Sequence, residues 1–251
     1  MSLDQETELL KGILQGKVDY SHGIEHALAV LNHAEEALKV TDHKLTGDEI
    51  LAIRLAALLH DADDRKYFPA NKDYQNARTV LESHKEEVRE LVLRMIDAVS
   101  CTKNGNSRVM REWHGRPSIN ITEENEWLLY PRFADRLEAM GHMGLLRTWL
   151  YNQHVNRPNF TPETARPTTL DELYKTASEE RFDHYLSVGG DVGLSSFIDH
   201  YFDKLFRIYN LGENKYFKKE AAERHKVTEE FLLEFGRTGA IDHAKWGLVK
   251  K

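Results

Sequence analysis

The sequence predicts an all-α fold, and three observations support this prediction. Apolar residues recur at three- and four-residue steps in most segments, as on one face of an amphipathic helix. Residues typical of helix N-caps stand immediately before several of these segments. No convincing run of alternating apolar and polar residues and no internal repeat is present.

The first half of the chain contains the clearest helical signals. Residues 22–40 carry an apolar face. The next helix is expected to begin after Thr46, with Glu49 three residues later as in a capping box, and to run to about His60. Two further helices are predicted at residues 74–84 and 86–100 by the same criteria.

The second half combines helices with irregular segments. A helix is expected to start after Thr122 and to continue through Asp135 to Met140, with a kink or interruption at Pro131. Two amphipathic segments near the C-terminus, 195–211 and 213–235, are expected to form a helical layer on the rest. The irregular segments, 103–120 and 156–169, are either functional loops or surface excursions.

Composition narrows the class of protein. The chain has 251 residues, of which 41% are hydrophobic and 30% charged, as in a soluble globular protein. We expect one domain over residues 1–251, with a core at about 15–155 and a helical extension at about 170–240. The net charge of −7 argues against nucleic acid as the main partner, because a phosphate backbone needs a concentrated basic face. The sequence does not indicate an oligomeric state.

The cysteine count and the termini predict the compartment. Cys101 is the one cysteine, so an intrachain disulfide and a cysteine-based zinc site are impossible, and a reducing compartment is expected. The N-terminus lacks the basic and apolar regions of a signal peptide. No apolar run approaches the roughly 20 residues that span a bilayer. We therefore expect a cytoplasmic protein without a membrane partner.

An adjacent histidine and aspartate, His60 and Asp61, end the apolar run of residues 50–59 and carry the main functional signal. Imidazole and carboxylate are both ligands for divalent metals. His26 on an upstream helix and Asp135 on a later one are the candidate partners. Taken singly, His26 has the ordinary interpretation of a satisfied polar residue, and Asp135 that of a salt-bridge partner. Spacing alone does not establish a shared site.

Three stretches together resemble the HD superfamily of metal-dependent phosphohydrolases, and especially its small stand-alone members. They are Tyr20-Ser21-His22-Gly23-Ile24-Glu25-His26, His60-Asp61-Ala62-Asp63-Asp64-Arg65-Lys66 and Ala134-Asp135-Arg136-Leu137. Residues 201–205 and 221–225 also resemble that subgroup, so the likeness extends over about residues 15–235. The resemblance implies an HD-domain helical bundle with C-terminal helices packed on it.

The resemblance also implies an enzyme, a hydrolase that cleaves a phosphate ester or anhydride with a metal-activated water. Its metal ligands would be His26, His60, Asp61 and Asp135, holding one divalent ion among Mn²⁺, Mg²⁺, Co²⁺, Fe²⁺, Ni²⁺ and Zn²⁺. The substrate would be a nucleotide or another small phosphorylated metabolite. A His-Ser pair typical of stand-alone members is replaced here, with Val99 where the histidine would fall.

Four further residues are candidates for the chemistry itself. Asp64, three residues after Asp61, is the candidate general base, against a surface or capping role. Lys66 and Arg136 are candidates to neutralise phosphate, against ordinary salt bridges. His22 is a candidate to contact substrate or to orient the site, against an exposed helix start. The aromatic residues Tyr67, Trp113 and Trp127 offer faces for a nucleobase, although aromatic side chains at helical spacing more often belong to a core.

Two alternatives to the phosphohydrolase remain open. One is a non-catalytic metal- or nucleotide-binding regulatory HD module, against which the four intact ligands argue. The other is an oxygenase with a diiron centre, which would need additional histidine ligands. His84 and His114 lie in the right interval but match that pattern poorly, so the sequence favours one metal over two. Iron content and oxygen consumption distinguish the oxygenase from a hydrolase.

Overall fold

Helices dominate the structure, a computed structural model that describes residues 2–19, 22–190 and 195–249. The first half of the chain contains α1 (Asp4–Leu14), α2 (Ile24–Lys39), α3 (Gly47–Leu59), α4 (Gln75–Val80), α5 (Glu86–Val99) and α6 (Cys101–Asn104). The second half contains α7 (Tyr130–Glu138), α8 (Gly141–His154), α9 (Leu170–Thr176), α10 (Glu179–Ser187), α11 (Phe197–Asp203) and α12 (Lys215–Thr238). The all-α prediction is confirmed. Tyr20 and Ser21 of the first HD-like stretch lie outside the described residues.

A small antiparallel hairpin is the one departure from helical structure in the described ranges that the sequence did not predict. Its strands are β1 (Val109–Met110) and β2 (Ile119–Asn120), with Val109 opposite Asn120. An isolated bridge between Trp113 and Arg116 continues the pairing toward the turn. Strands of two residues are too short to show an alternating pattern, which explains why the segment reads as irregular in sequence.

The helix predicted after Thr122 is divided in two. It begins as a 3₁₀ helix, Glu123–Leu129, and continues as α7. Pro131 lies in the first turn of α7, a position that proline tolerates because its fixed φ suits a helix. The expected interruption therefore falls at this junction, and it places Asp135 on a regular α-helical turn.

The described residues divide into two compact units. The first contains Met1–Ser100, Asn106–Asp135 and Glu213–Tyr216, and the second contains Cys101–Gly105, Arg136–Gly212 and Phe217–Lys251. In the first unit, α3 packs against both α2 and α5, and α1 contacts α2 and α4. In the second, α11 packs against α8 and α10. The single domain predicted from the sequence stays a prediction.

Helix α3 forms the centre of the first unit's core. Its residues Ala52, Ile53 and 55–59 are all buried, so the C-terminal part of the helix is enclosed by its neighbours. A helix that is apolar all round is expected in such a position. Its N-terminus carries the predicted capping box, with Thr46 Oγ1 accepting from the Glu49 amide and Glu49 Oε2 accepting from the Thr46 amide.

The second unit has an aromatic core. Phe197 and Phe231 meet edge to face at 5.9 Å between ring centroids, and Tyr201 packs on the same Phe231 ring at 6.0 Å. Segment 195–211, predicted as helical, forms α11 followed by a short 3₁₀ turn. None of the helices in the described parts of the chain has the length and apolar character needed to cross a bilayer.

Candidate metal centre

The four predicted ligands come from three helices of the first unit. Helix α2 begins directly after the extended N-cap Gly23, and His26 is its third residue. Only 4% of His26 is exposed. His60 and Asp61 follow the last residue of α3, so the buried helix delivers both side chains to one place. Asp135 lies on α7. Arg132 also lies on α7 and is only 2% exposed. Its Nε donates to the carbonyl of Ala98 near the end of α5, and this hydrogen bond links α7 to α5.

The donor atoms of these residues converge. The Nε2 atoms of His26 and His60 are 3.1 Å apart. Asp61 Oδ2 lies 3.7 Å from the His26 nitrogen and 3.4 Å from the His60 nitrogen. Asp135 Oδ1 lies 3.5 and 3.6 Å from the same two nitrogens. Residues that are 109 positions apart at the extremes therefore share one site.

These separations suit a single cation. Two donors about 2.1 Å from the same ion are about 3.0 Å apart in an octahedral site and about 3.4 Å apart in a tetrahedral one. His60 Nδ1 donates to the Ala57 carbonyl at 2.9 Å, so in the neutral ring the hydrogen lies on Nδ1 and Nε2 offers a lone pair. A backbone carbonyl that orients a histidine in this way is typical of metal ligands. The residues present thus fit a divalent metal.

The electrostatics of the cluster favour positive charge between the side chains. Burial opposes a charge on His60, but the carboxylates of Asp61 and Asp135 outweigh it and raise the pKa of His60 to about 9. Burial likewise opposes ionisation of Asp61, yet the neighbouring histidines hold the pKa of this carboxyl well below its usual range. Burial opposes ionisation of Asp135 too, but its hydrogen bond with His26 and the charge of His60 lower the pKa of this carboxyl.

His22 and Asp64 lie beside the cluster. One ring nitrogen of His22 and one carboxylate oxygen each of Asp61 and Asp64 lie within 4.8 Å of one another. Asp64 Oδ1 accepts from the Lys66 amide at 2.9 Å. Burial and the charge of Asp61 raise the pKa of the Asp64 carboxyl. The structure thus brings two predicted residues next to the candidate metal ligands, and their part in a reaction stays a prediction.

The two predicted phosphate-binding residues have different surroundings. Lys66 is exposed at the turn that follows the His60–Asp61 pair. Arg136 is only 4% exposed, and its Nη2 donates to the carbonyl of Gly105 within the second unit. This hydrogen bond gives the guanidinium a structural role. A contact of Arg136 with phosphate remains an untested prediction.

The histidines proposed for a diiron centre are engaged elsewhere. His84 Nε2 contacts Glu6 Oε1 at 2.8 Å, and His114 Nε2 contacts Asp73 Oδ1 at 3.0 Å. Neither belongs to a group of potential metal ligands found among the described residues. Val99, at the position of the missing histidine, is buried.

Sequence reasoning missed two polar roles near the site. Asp63, within the His-Asp motif, accepts from the amides of Asn76 and Ala77 and so caps α4. Tyr67 contacts His22 Nδ1 at 2.9 Å and also donates to Asp19. The sequence indicated Tyr67 only as an aromatic face for a nucleobase, and this interpretation does not reveal a hydroxyl contact across 45 positions.

Comparison with known proteins identifies one relative of this chain by sequence. No protein-family model matches it. It is 32% identical over 232 residues to the uncharacterized protein L803 of Acanthamoeba polyphaga mimivirus, with 85% of this chain and 88% of that protein covered. The chain belongs to the L803 family.

Several solved structures share the fold of this L803-family chain. An HD-superfamily hydrolase from Bacillus thuringiensis superposes with a TM-score of 0.56 at 21% identity, covering 93% of this chain and 94% of that one. YpgQ from Bacillus subtilis, solved in complex with ADP, gives a TM-score of 0.57 at 16% identity, with 94% and 93% covered. The L803-family chain therefore has the HD fold, as its three motifs predict.

Proposed function

We propose that the protein is a metal-dependent phosphohydrolase that cleaves a phosphate ester or anhydride of a nucleotide or another small phosphorylated metabolite. The convergence of His26, His60, Asp61 and Asp135 on one point carries this proposal. Similarity to a protein described as a hydrolase supports the reaction class, and ADP in the YpgQ complex supports a nucleotide as substrate.

Each of the site residues has a separate role in the proposed reaction. His26, His60, Asp61 and Asp135 would hold the ion. A divalent ion held there supplies a Lewis acid for water and for the phosphoryl group. Asp64 has Oδ1 engaged by the Lys66 amide, which leaves Oδ2 to accept a proton from the attacking water. Burial and the charge of Asp61 raise the pKa of Asp64, which makes its carboxylate a stronger base than an ordinary aspartate. Lys66, exposed beside it, would neutralise the substrate phosphate.

A turnover experiment with a ligand variant tests this function. Phosphate or pyrophosphate release would be measured over a panel of nucleotides and phosphorylated metabolites, with Mn²⁺ and with a chelator. Wild type should require Mn²⁺, and Asp61→Ala should lower the rate by more than about a hundredfold, since loss of mere outer partners already costs about 10- to 100-fold. Circular dichroism should show an unchanged helical fold.

Asp48→Ala is the matched control, because Asp48 is an exposed acid of α3 paired with Lys85. It should keep the wild-type rate. A normal rate in Asp61→Ala would refute the site assignment. A wild-type protein that binds Mn²⁺ and releases nothing from the whole panel would favour the non-catalytic module.

A further inference from the structure

A set of side-chain hydrogen bonds joins the turn after α3 to the segment that leads into α4. Asp63 Oδ1 accepts from Asn71 Nδ2 at 2.7 Å and from the Asn76 amide at 2.9 Å. Asp63 Oδ2 accepts from the Ala77 amide at 2.9 Å. In the opposite direction, Asn76 Nδ2 donates to the Ala62 carbonyl at 2.6 Å. We name these four hydrogen bonds the Asp63–Asn76 clamp.

The clamp does more than cap a helix. The amides of Asn76 and Ala77 belong to the first turn of α4 and have no partner within that helix, so their bonds to Asp63 serve α4. The bond from the Asn76 side chain satisfies no group of α4, because its acceptor is the carbonyl of Ala62. This bond fixes the backbone of the turn, where Ala62 is buried.

The clamped residues stand between two residues of the candidate site. Asp61 is a candidate metal ligand and Asp64 is the candidate base, and the Asp64 amide donates to the Asp61 carbonyl at 3.1 Å across the turn. A carboxylate oxygen of Asp61 lies within 4.8 Å of one of Asp64. Two ionised carboxylates at this distance repel each other. The backbone that joins them must therefore resist their separation, and the clamp holds that backbone from outside the turn.

The segment before α4 has a strained backbone. Asp73 and Tyr74 have φ angles of 52° and 56°, in the left-handed region that residues other than glycine rarely adopt. Tyr74 Oη donates to Oδ1 of the buried Asp97 on α5 at 2.6 Å. Such strain persists where the surrounding structure imposes it, and it concentrates at functional sites. Here it sets the direction in which α4 starts, and so the place of Asn76.

We propose that Asp63 and Asn76 are positioning residues, which hold Asp61 as a metal ligand and Asp64 as a base at a fixed separation. They act through the backbone of the turn, and neither needs to touch the substrate. The part of the proposal that concerns Asp64 rests on the proposed function. The part that concerns Asp61 rests only on the candidate metal centre.

The Mn²⁺ affinity of the full chain tests the position of Asp61. Electron paramagnetic resonance of free Mn²⁺ would give the Kd. Asn76→Ala removes the bond to Ala62, keeps the backbone amide that donates to Asp63, and changes no charge. It should weaken Mn²⁺ binding by about tenfold, the lower end of the range for lost outer partners.

Two variants of Asp63 separate the hydrogen bonds from the charge. Asp63→Ala removes all the bonds of this carboxylate and should weaken Mn²⁺ binding by about 10- to 100-fold. Asp63→Asn loses the same charge but keeps one acceptor oxygen. Its affinity should therefore lie between those of wild type and Asp63→Ala.

Asn125→Ala is the matched control in the same unit. Asn125 Nδ2 also donates to a backbone carbonyl, that of Asn120, at 3.1 Å. This variant should keep the wild-type Mn²⁺ affinity and the wild-type kcat. Circular dichroism would establish that every variant is folded at the assay temperature.

Kinetics at saturating Mn²⁺ test the position of Asp64. Asn76→Ala should lower kcat by about tenfold, as for a lost outer partner. KM should change by less than about twofold, because a residue that does not bind substrate acts on the chemical step.

The two proposals fail in different ways. A wild-type Mn²⁺ affinity in Asn76→Ala would overturn the positioning role, since a loss in the Asp63 variants would then be an effect of charge. An equal loss in Asn125→Ala would overturn it as well. A wild type that binds no Mn²⁺ would do the same, because the clamp would have no ligand geometry to hold.

A wild-type kcat in Asn76→Ala at saturating Mn²⁺ would overturn the part that concerns Asp64. Absence of turnover in wild type would instead overturn the proposed function, while the Mn²⁺ affinities would still decide whether the clamp positions Asp61.

Discussion

At the scale of single residues, the histidines show that surroundings decide what an imidazole does. His60 faces two carboxylates, and its pKa rises to about 9. His225 on α12 is also buried, yet its pKa falls to about 4 because burial disfavours the charge and Arg207 adds repulsion. It stacks on Tyr209 at 4.1 Å between ring centroids, and its Nε2 lies 3.3 Å from Tyr174 Oη. The first histidine suits a cation site and the second suits a core.

The neutral His225 predicts a loss of stability in mild acid. The unfolded chain binds a proton at this residue below about pH 6.5, whereas the folded chain does so only near pH 4. The stability that His225 contributes above pH 6.5 should therefore decline as the pH falls toward 4, by up to about 3 kcal/mol. Urea unfolding at several pH values measures it.

His225→Gln should flatten this part of the pH profile, because the variant has no titrating ring. His154→Gln, the same change at an exposed residue, should keep the wild-type profile. Parallel profiles for wild type and His225→Gln would show that other groups cause the acid sensitivity.

At the scale of elements, α3 shows how a local signal and a tertiary role combine. Its N-terminus is fixed by neighbours in sequence, Thr46 and Glu49, whose reciprocal hydrogen bonds form a capping box. Its C-terminus is fixed by burial, since residues 55–59 are enclosed and His60 and Asp61 emerge where the enclosure ends. A helix held at both ends presents its ligands in one orientation, which a metal site requires.

Removal of the cap should cost measurable stability. Thr46→Ala removes the acceptor for the Glu49 amide and should lower the free energy of unfolding by about 1 kcal/mol. Chemical denaturation measures the change. Thr79→Ala is the control, because Thr79 lies exposed within α4 and caps nothing, and alanine is the better helix former. Equal losses in the two variants would contradict the assigned role of the box.

At the scale of the whole molecule, a ligand that binds only the folded chain links the site to stability. The cluster draws on α2, α3 and α7, so it cannot exist in the unfolded state. Asp61 and Asp135 favour a positive charge on His60, whose pKa rises to about 9. A divalent ion would take over that charge and tie three helices of the first unit together.

Divalent metal should therefore raise the unfolding temperature. At a free Mn²⁺ concentration of about 100 times Kd, the expected stabilisation is about 2.7 kcal/mol. For a chain of this size that corresponds to a rise of about 5–10 °C. Thermal unfolding followed by circular dichroism, with Mn²⁺ and then with a chelator, measures it. Asp61→Ala should show no rise, and an equal rise in this variant would place the metal elsewhere.

Much of the fold could be predicted because its determinants are local. The capping box at Thr46, the apolar surface of α3 and the boundary near Pro131 each depend on residues within a few positions of one another. The hairpin of β1 and β2 could not be predicted, because two-residue strands leave no periodic trace. The ends of the shorter helices also differ: the segment predicted as 74–84 is helical only over Gln75–Val80.

The candidate site was likewise predictable in part from the sequence. The sequence determined which ligands the chain offers, through motifs that resemble the HD superfamily, and it determined the helices that carry them. Only the tertiary structure decided that His26, His60, Asp61 and Asp135 meet, that Arg136 donates to a backbone carbonyl, and that Tyr67 contacts His22. The physical reason is that helix periodicity and caps act over a few residues, whereas charge and hydrogen bonding in a site depend on distances between segments that only packing sets.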